Sequence, residues 1–456
     1  MDSRVIPISL YEKRPDIQPR AVHGWFAVWR WIMVFATQAF FYGMPWLQWN
    51  GRQALLFDIE AQRFYVFALV LVPQDLVYLA ALLVISALLL FFVTAVAGRV
   101  WCGYTCPQTV YTEIFMWLEH RIEGDRTARL RLHKGPWNAD RVLRQGGKHA
   151  AWLALSLWTG FTFVGYFTPI RQLAAQMGPW HAFWILFYAG ATYGNAGWMR
   201  EQVCKYMCPY ARFQSALIDA DSLVIAYDTV RGEPRGARSR KTAAEGTGDC
   251  VDCTLCVQVC PTGIDIRNGL QNECIGCAAC VDACNDVMDK VGSPRGLIRY
   301  DTGNAVAHGW TRAQAWRRVF RPRTLLYGTT LLAAGTAFAL SIATRSPFLF
   351  DVIKDRGAMA RVVDDGAVEN VYRLQVMNRS EQPQRLRITA DGPPGLVAPV
   401  REIVVPAVGI ESAVLALRLP AEAAQPLQGR PPVPVRFTLE GAGAIRHEPS
   451  TFLVPR

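Results

Sequence analysis

The chain has little of what would mark a soluble, nucleotide-dependent enzyme. No dinucleotide-binding glycine fingerprint follows a predicted strand anywhere in it, so a cradled nicotinamide or flavin dinucleotide is excluded as an electron source. Nor does a cleavable signal segment open it. The N-terminus is polar, carries Arg4, Lys13, Arg14 and Arg20, and has no small-residue cleavage site before the first apolar run, so that run is expected to stay as an anchor. The last segment, 345–456, has no cysteine and one histidine, His447. No metal or catalytic constellation is legible in it, and contact rather than chemistry is its expected role.

What the chain has in quantity is apolar sequence. At 456 residues it can hold three or so units, and 51% of it is hydrophobic, which suits a protein partly dissolved in lipid. Uncharged runs near bilayer length occur at 76–97, 150–167, 180–198 and 324–342, and a further run at 31–46 comes first. Arg30 flanks that first run and is expected to snorkel to the interface. The stretch 64–72, stopped by Pro73, is too short to cross and is predicted to be interfacial.

Topology follows from the basic residues. Arg121, Arg126, Arg129, Arg131, Lys134, Arg141, Arg144 and Lys148 fall between the second and third runs. Arg231, Arg235, Arg238, Arg240 and Lys241, then Arg317, Arg318, Arg321 and Arg323, fall between the fourth and fifth. Both segments are expected to be cytoplasmic, so five helices run from an inside N-terminus to an outside C-terminus. All twelve cysteines then lie at or inside the cytoplasmic face, as suits reduced thiols and metal ligands. The net charge of +11 follows the loops that flank helices, which favours anionic lipid over nucleic acid as a partner.

Eight cysteines fall in one short stretch: Cys250, Cys253, Cys256 and Cys260, then Cys274, Cys277, Cys280 and Cys284. Disulfides or two four-cysteine zinc sites could use eight thiols. The spacing C-x2-C-x2-C-x3-C, written twice, instead matches a two-cluster ferredoxin, in which the fourth cysteine of each run reaches the other [4Fe-4S] centre. Pro261 follows Cys260, but Asn285 follows Cys284, and the connector 261–273 is short, so the second half departs slightly from the pattern.

The other four cysteines form a duplicated phrase, Cys-x-Tyr-x-Cys-Pro, at Cys102, Cys106 and Pro107 and again at Cys204, Cys208 and Pro209. Each copy follows the cytoplasmic end of an apolar run, and such repeats commonly share a site at their interface. Proline ends one helix and starts another, so amphipathic helices are predicted at 108–121 and 210–220. Thiolates at helix N-termini have lowered pKa values, and the two copies could bring four thiols together. Three readings stay open for the quartet: a soft metal site that accepts copper, a redox disulfide or further cluster, and plain buried packing. Met116, Met207 and His120 lie near in sequence but are not assigned as ligands.

Residues 221–249 read as a linker, with a short strand at 224–227. After the last apolar run, short β-rich segments at 372–376, 386–388, 403–405, 413–417, 433–439 and 451–454 predict a β-sandwich. The expected organisation is a multidomain membrane protein. It comprises a membrane domain (1–220, four helices), an inserted ferredoxin-like α+β domain (221–300), a connector with the fifth helix (301–344) and an immunoglobulin-like sandwich (345–456).

In this arrangement the chain resembles the FixG/CcoG family of cytochrome oxidase accessory proteins. Tyr227-Asp228, the run Arg231-Gly232-Glu233-Pro234-Arg235 and the run Gly296-Leu297-Ile298-Arg299-Tyr300 are similar to family phrases. The resemblance implies reduction of Cu(II) to Cu(I) for assembly of a cbb(3)-type oxidase in the bacterial inner membrane. It implies one cluster on Cys250, Cys253, Cys256 and Cys284, a second on Cys260, Cys274, Cys277 and Cys280, and copper at Cys102, Cys106, Cys204 and Cys208. Oxidase subunits, copper chaperones or transporters would be its partners, and a quinol or soluble carrier its electron donor. Two alternatives remain: a quinol-oxidising conduit of the nitrate-reductase-associated type, and a non-enzymatic assembly scaffold. Whether the chain acts alone or as a homodimer is open.

Overall fold

The structure, a computed structural model, describes residues 17–236, 247–354, 360–363 and 365–455. Arg4, Lys13, Arg14, Arg238, Arg240 and Lys241 lie outside the described residues. The chain divides into two compact units, one formed by 1–47 with 81–335 and the other by 48–80 with 336–456.

In the first unit every predicted apolar run is helical, though two helices alone among the described residues are long and apolar enough to cross a membrane by length and composition. These are Pro73–Ala97 and Pro322–Ala343. The other three runs depart from a simple span for visible reasons. The first helix is Trp25–Gly43, so it takes Arg30 into its body. The third, Ala139–Val164, begins with a charged half containing Asp140, Arg141, Arg144 and Lys148. The fourth, Pro179–Thr192, passes into a π-helical segment, Tyr193–Met199. Helices three and four meet through a small-residue face: a Cβ on Gly160 would stand 2.4 Å from the carbonyl oxygen of Ile185, an approach only glycine permits.

Both prolines of the repeated phrase start helices as expected. Pro107–Glu123 follows Cys106, and Pro209–Leu217 follows Cys208. The backbones upstream differ, since Val100–Tyr104 is α-helical and Val203–Met207 is π-helical. The ferredoxin segment contributes the helix Ala279–Val291 and a two-stranded sheet in which Leu223–Tyr227 pairs antiparallel with Ile298–Thr302. That pairing joins two of the family-like phrases, and Arg299 fastens it through Asp228 at 2.9 Å and Asp301 at 2.8 Å.

The second unit contains the sandwich, with no helical crossing over 48–72. The short apolar stretch 64–72 is β structure: Leu55–Asp58, Arg63–Val66 and Leu69–Leu71 form an antiparallel sheet. Aromatic and β-branched residues suit paired strands, and Phe57 and Phe64 meet across it at 5.8 Å. Two larger antiparallel sheets then face each other. One orders Ile410–Leu419, Val368–Asn378 and Phe348–Lys354, with Arg361–Val362 on the middle strand; the other orders Arg401–Val405, Gln384–Asp391, Val433–Gly441 and Ala444–Phe452. Alternating burial along Val368–Asn378 and Val433–Gly441 puts Tyr372, Leu374, Val376, Val435, Phe437 and Leu439 into one core. Tyr372 and Phe437 meet there at 4.9 Å.

Candidate cluster and thiol site

Two small cavities carry the eight ferredoxin cysteines. One is lined by Cys250, Cys253, Cys256 and Cys284 with Leu255, Val287, Leu297 and Ile298. The other is lined by Cys260, Cys274, Cys277 and Cys280, together with Cys256 and four isoleucines. The backbone repeats with the spacing. Asp252 and Thr254 flank Cys253 at φ 51° and 56°, and Gly276 and Ala278 flank Cys277 at φ 69° and 58°. Three non-glycine residues held in the left-handed region cost about 1–2 kcal/mol each. Such strain persists where the surroundings over-determine it, commonly at a ligand clamp.

The donor set and the apolar walls fit iron–sulfur groups. Burial pushes Cys274 and Cys284 up to about 12 and Cys256 up to about 11, while Cys277 and Cys280 are raised as well. Main-chain N–H groups of Gly276, Ala279 and Ile298 donate to Cys274, Cys277 and Cys284 and oppose that rise. A buried thiol of this kind gives up its proton to a metal rather than to water. Among the described residues no three or more His, Cys, Asp or Glu side chains gather as a single-ion site, Cys102, Cys106, Cys204 and Cys208 included. A cubane binds each thiolate at a different iron, so its ligands surround a volume rather than a point.

The repeated phrase sits against the second cavity. Cys102 and Cys204 pack on the buried group of Val259, Ile275, Cys277, Ala279 and Ala283. Arg99, just before the first phrase, donates to the carbonyls of Asn272 and Cys274 on the cluster loop and to Ala211 at 2.9 Å. Tyr300 donates to the carbonyl of Gly276. The four thiols are near enough to repel one another when ionised: Cys106 raises Cys102 and Cys204, and Cys208 raises Cys106 and Cys204.

Here an expectation fails. Cys106 caps a helix N-terminus and receives backbone N–H groups from Thr109 and Gln108, yet burial outweighs them and its pKa is raised. Burial likewise pushes Cys102 up to about 12 and Cys204 up to about 11. Cys102 donates from Sγ to Gln214 Oε1 at 3.4 Å, and Gln214 is fully buried. Met116 shares a cavity with Cys204 and Cys277, whereas Met207 is exposed and His120 faces Asp125.

Arg30 also departs from expectation. It does not snorkel: it is buried, donates to the Cys277 carbonyl at 3.2 Å and faces Glu113 at 3.6 Å. Asp282, on the helix Ala279–Val291, caps the first helix by accepting from Phe26 at 3.2 Å and Ala27 at 2.8 Å. Arg99, Gln214 and Asp282 were not singled out by sequence reasoning. For Arg99 a signal existed, a lone charge between the apolar run and Cys102; for Gln214 and Asp282 none did.

Residues 199–303 match a family model described as a 4Fe-4S dicluster domain, and residues 79–124 match a 4Fe-4S binding domain. Residues 338–455 match the IG-like fold at the C-terminus of FixG. The nitrogen fixation protein FixG of Rhizobium meliloti is 40% identical over 423 residues, 84% of this chain and 81% of its own. Protein RdxA of Cereibacter sphaeroides is 39% identical over 402 residues, 85% of this chain and 84% of its own. A methylamine utilization ferredoxin-type protein, MauN of Methylorubrum extorquens, is 26% identical over 180 residues, 38% of this chain and 52% of its own. The crystal structure of a FixG-related protein from Vibrio parahaemolyticus aligns with 24% of this chain and 97% of its own, at 20% identity and a TM-score of 0.21, too low to bear on the fold. With two membrane-length helices, 4Fe-4S dicluster sequence and relatives matched at this identity over more than four fifths of both chains, the chain belongs to the FixG/CcoG family of iron–sulfur electron-transfer proteins.

Proposed function

We propose that the chain reduces Cu(II) to Cu(I) at Cys102, Cys106, Cys204 and Cys208 for assembly of a cbb(3)-type oxidase. One [4Fe-4S] group would be held by Cys250, Cys253, Cys256 and Cys284, and a second by Cys260, Cys274, Cys277 and Cys280; when bound, each supplies a one-electron carrier. The observation that carries the reading is the contact of Cys102 and Cys204 with the loop of Cys277. It leaves an electron a short path into thiols that prefer the product, Cu(I). Arg99 and Tyr300 hold the loop in that position. In this reading five helices cross the inner membrane, the ferredoxin segment is cytoplasmic and the sandwich is periplasmic, where it docks oxidase subunits or copper carriers.

A second reading is favoured by one match. The 4Fe-4S binding model covers 79–124, where Cys102 and Cys106 are the sole cysteines. The quartet would then hold a third cluster.

Anaerobic Cu(II) reduction by the purified, dithionite-reduced protein, read with a Cu(I)-specific chelator, tests both. Fast reduction in the wild type and its loss when all four quartet cysteines become serine is the expected result. Loss of iron and labile sulfide from that variant, without any copper reduction in the wild type, favours the third cluster.

A further inference from the structure

Between the first helix, Trp25–Gly43, the helix Pro107–Glu123 and the loop after Cys260 lies a cavity of about 630 Å³, within the range of small-molecule sites. One side is apolar: Trp31, Ile32, Phe35 and Trp117 line it, and Trp31 and Trp117 meet edge to face at 6.1 Å. Ile32 and Phe35 are exposed on the membrane-domain surface. Polar groups converge elsewhere on the wall. Glu113 stands 3.6 Å from Arg30, and His120 stands 3.5 Å from Asp125. Pro261 and Ala279 also line the cavity, next in sequence to Cys260 and Cys280.

We infer that this cavity is a quinol site that feeds electrons to the clusters. The inference rests on the cluster ligands proposed above. A quinol ring fits against Trp31 and Trp117, its isoprenoid tail runs past Ile32 and Phe35 toward lipid, and its hydroxyls reach Glu113 and His120. Oxidation breaks the two O–H bonds. One proton goes to the Glu113 carboxylate, the other to the His120 imidazole and on toward Asp125. The two electrons would leave singly past Pro261 and Ala279, one for each of the groups that the two cysteine sets would hold, and the quinone departs. The stoichiometry closes without another oxidant. It also supplies what the absent dinucleotide fingerprint leaves open.

The test uses full-length, cluster-loaded protein in lipid nanodiscs and the short-tailed probe decylubiquinone. Calorimetric titration is expected to give saturable binding, weakened about tenfold or more by Ile32→Trp, which fills the cavity. Anaerobic mixing with decylubiquinol is expected to bleach the cluster absorption. Glu113→Gln should slow that bleaching about a hundredfold at saturating decylubiquinol. Undisturbed cluster spectra show that each variant has folded. No saturable binding, equal binding by wild type and Ile32→Trp, or bleaching of Glu113→Gln at the wild-type rate overturns the site. Dithionite-driven copper reduction bypasses the quinol, so failure here is distinguishable from failure of the copper reading.

Discussion

Gly103 lies against the carbonyl of Gly276: a Cβ at Gly103 would stand 2.7 Å from that oxygen. The first cysteine phrase is thus seated backbone to backbone on the loop before Cys277. Gly103→Ala must push the two apart, at about 1–3 kcal/mol for overpacking of this kind. The expected result is an intact cluster spectrum with copper reduction slowed at least severalfold. An unchanged rate by the chelator assay would show that the close seat does not matter to electron transfer.

Replacing Cys102 and Cys106 together by serine should abolish copper binding while both ferredoxin cluster signals remain in the electron paramagnetic spectrum. Neither Cys102 nor Cys106 lines either of the two cluster cavities. Loss of a ferredoxin cluster in that variant would mean that the sites are not separable.

Glu369 in the sandwich gives a pH test. Its carboxylate accepts from Arg418 at 2.6 Å and Arg361 at 2.7 Å, and the Arg418 bond leads the causes that hold its pKa below the usual carboxylate range, against burial. A depressed folded value contributes stability that is present above the unfolded pKa, near 4.5, and is lost as pH falls through the folded one. Both arginines are mostly exposed, so the contribution is modest. Glu369→Gln should loosen the sandwich by about 1 kcal/mol at pH 7, a difference that disappears in acid. Hydrogen exchange at strands Val368–Asn378 and Ile410–Leu419, followed against pH, measures it.

Removing everything after Ile342 should spare copper reduction and impair oxidase assembly in cells. The second unit qualifies the design. Asp75 is buried and paired with Arg345 and with Arg379 at 2.6 Å, so truncation strips both cations from it. The truncation therefore carries Asp75→Asn as well. Normal oxidase activity in such cells would count against a docking role for the sandwich.

The local code of this chain was readable wherever spacing or alternation carries the signal. The doubled cysteine run, the helix starts at Pro107 and Pro209, the strand at Leu223–Tyr227 and the sandwich strands are all of that kind. Long-range burial was not readable. Nothing local says that Arg30 turns inward to Cys277, or that desolvation of the half-buried Cys106 reverses the shift its helix favours. Segment 64–72 is too short to cross, as its length implies, but its strand structure was not legible because the partner that pairs with it, Leu55–Asp58, lies elsewhere in the chain.

The aspartate that caps the first helix lies 255 residues downstream of the amide it holds. At bacterial synthesis rates of about 5–20 residues per second, roughly 13 to 50 s separate the emergence of Ala27 from that of Asp282. Through that interval the helix start has unmet donors, and Arg30 waits for the carbonyl it will bind. The helix Trp25–Gly43 is thus completed only after Asp282 has emerged, which makes the ferredoxin segment a late clasp on the chain's own biogenesis.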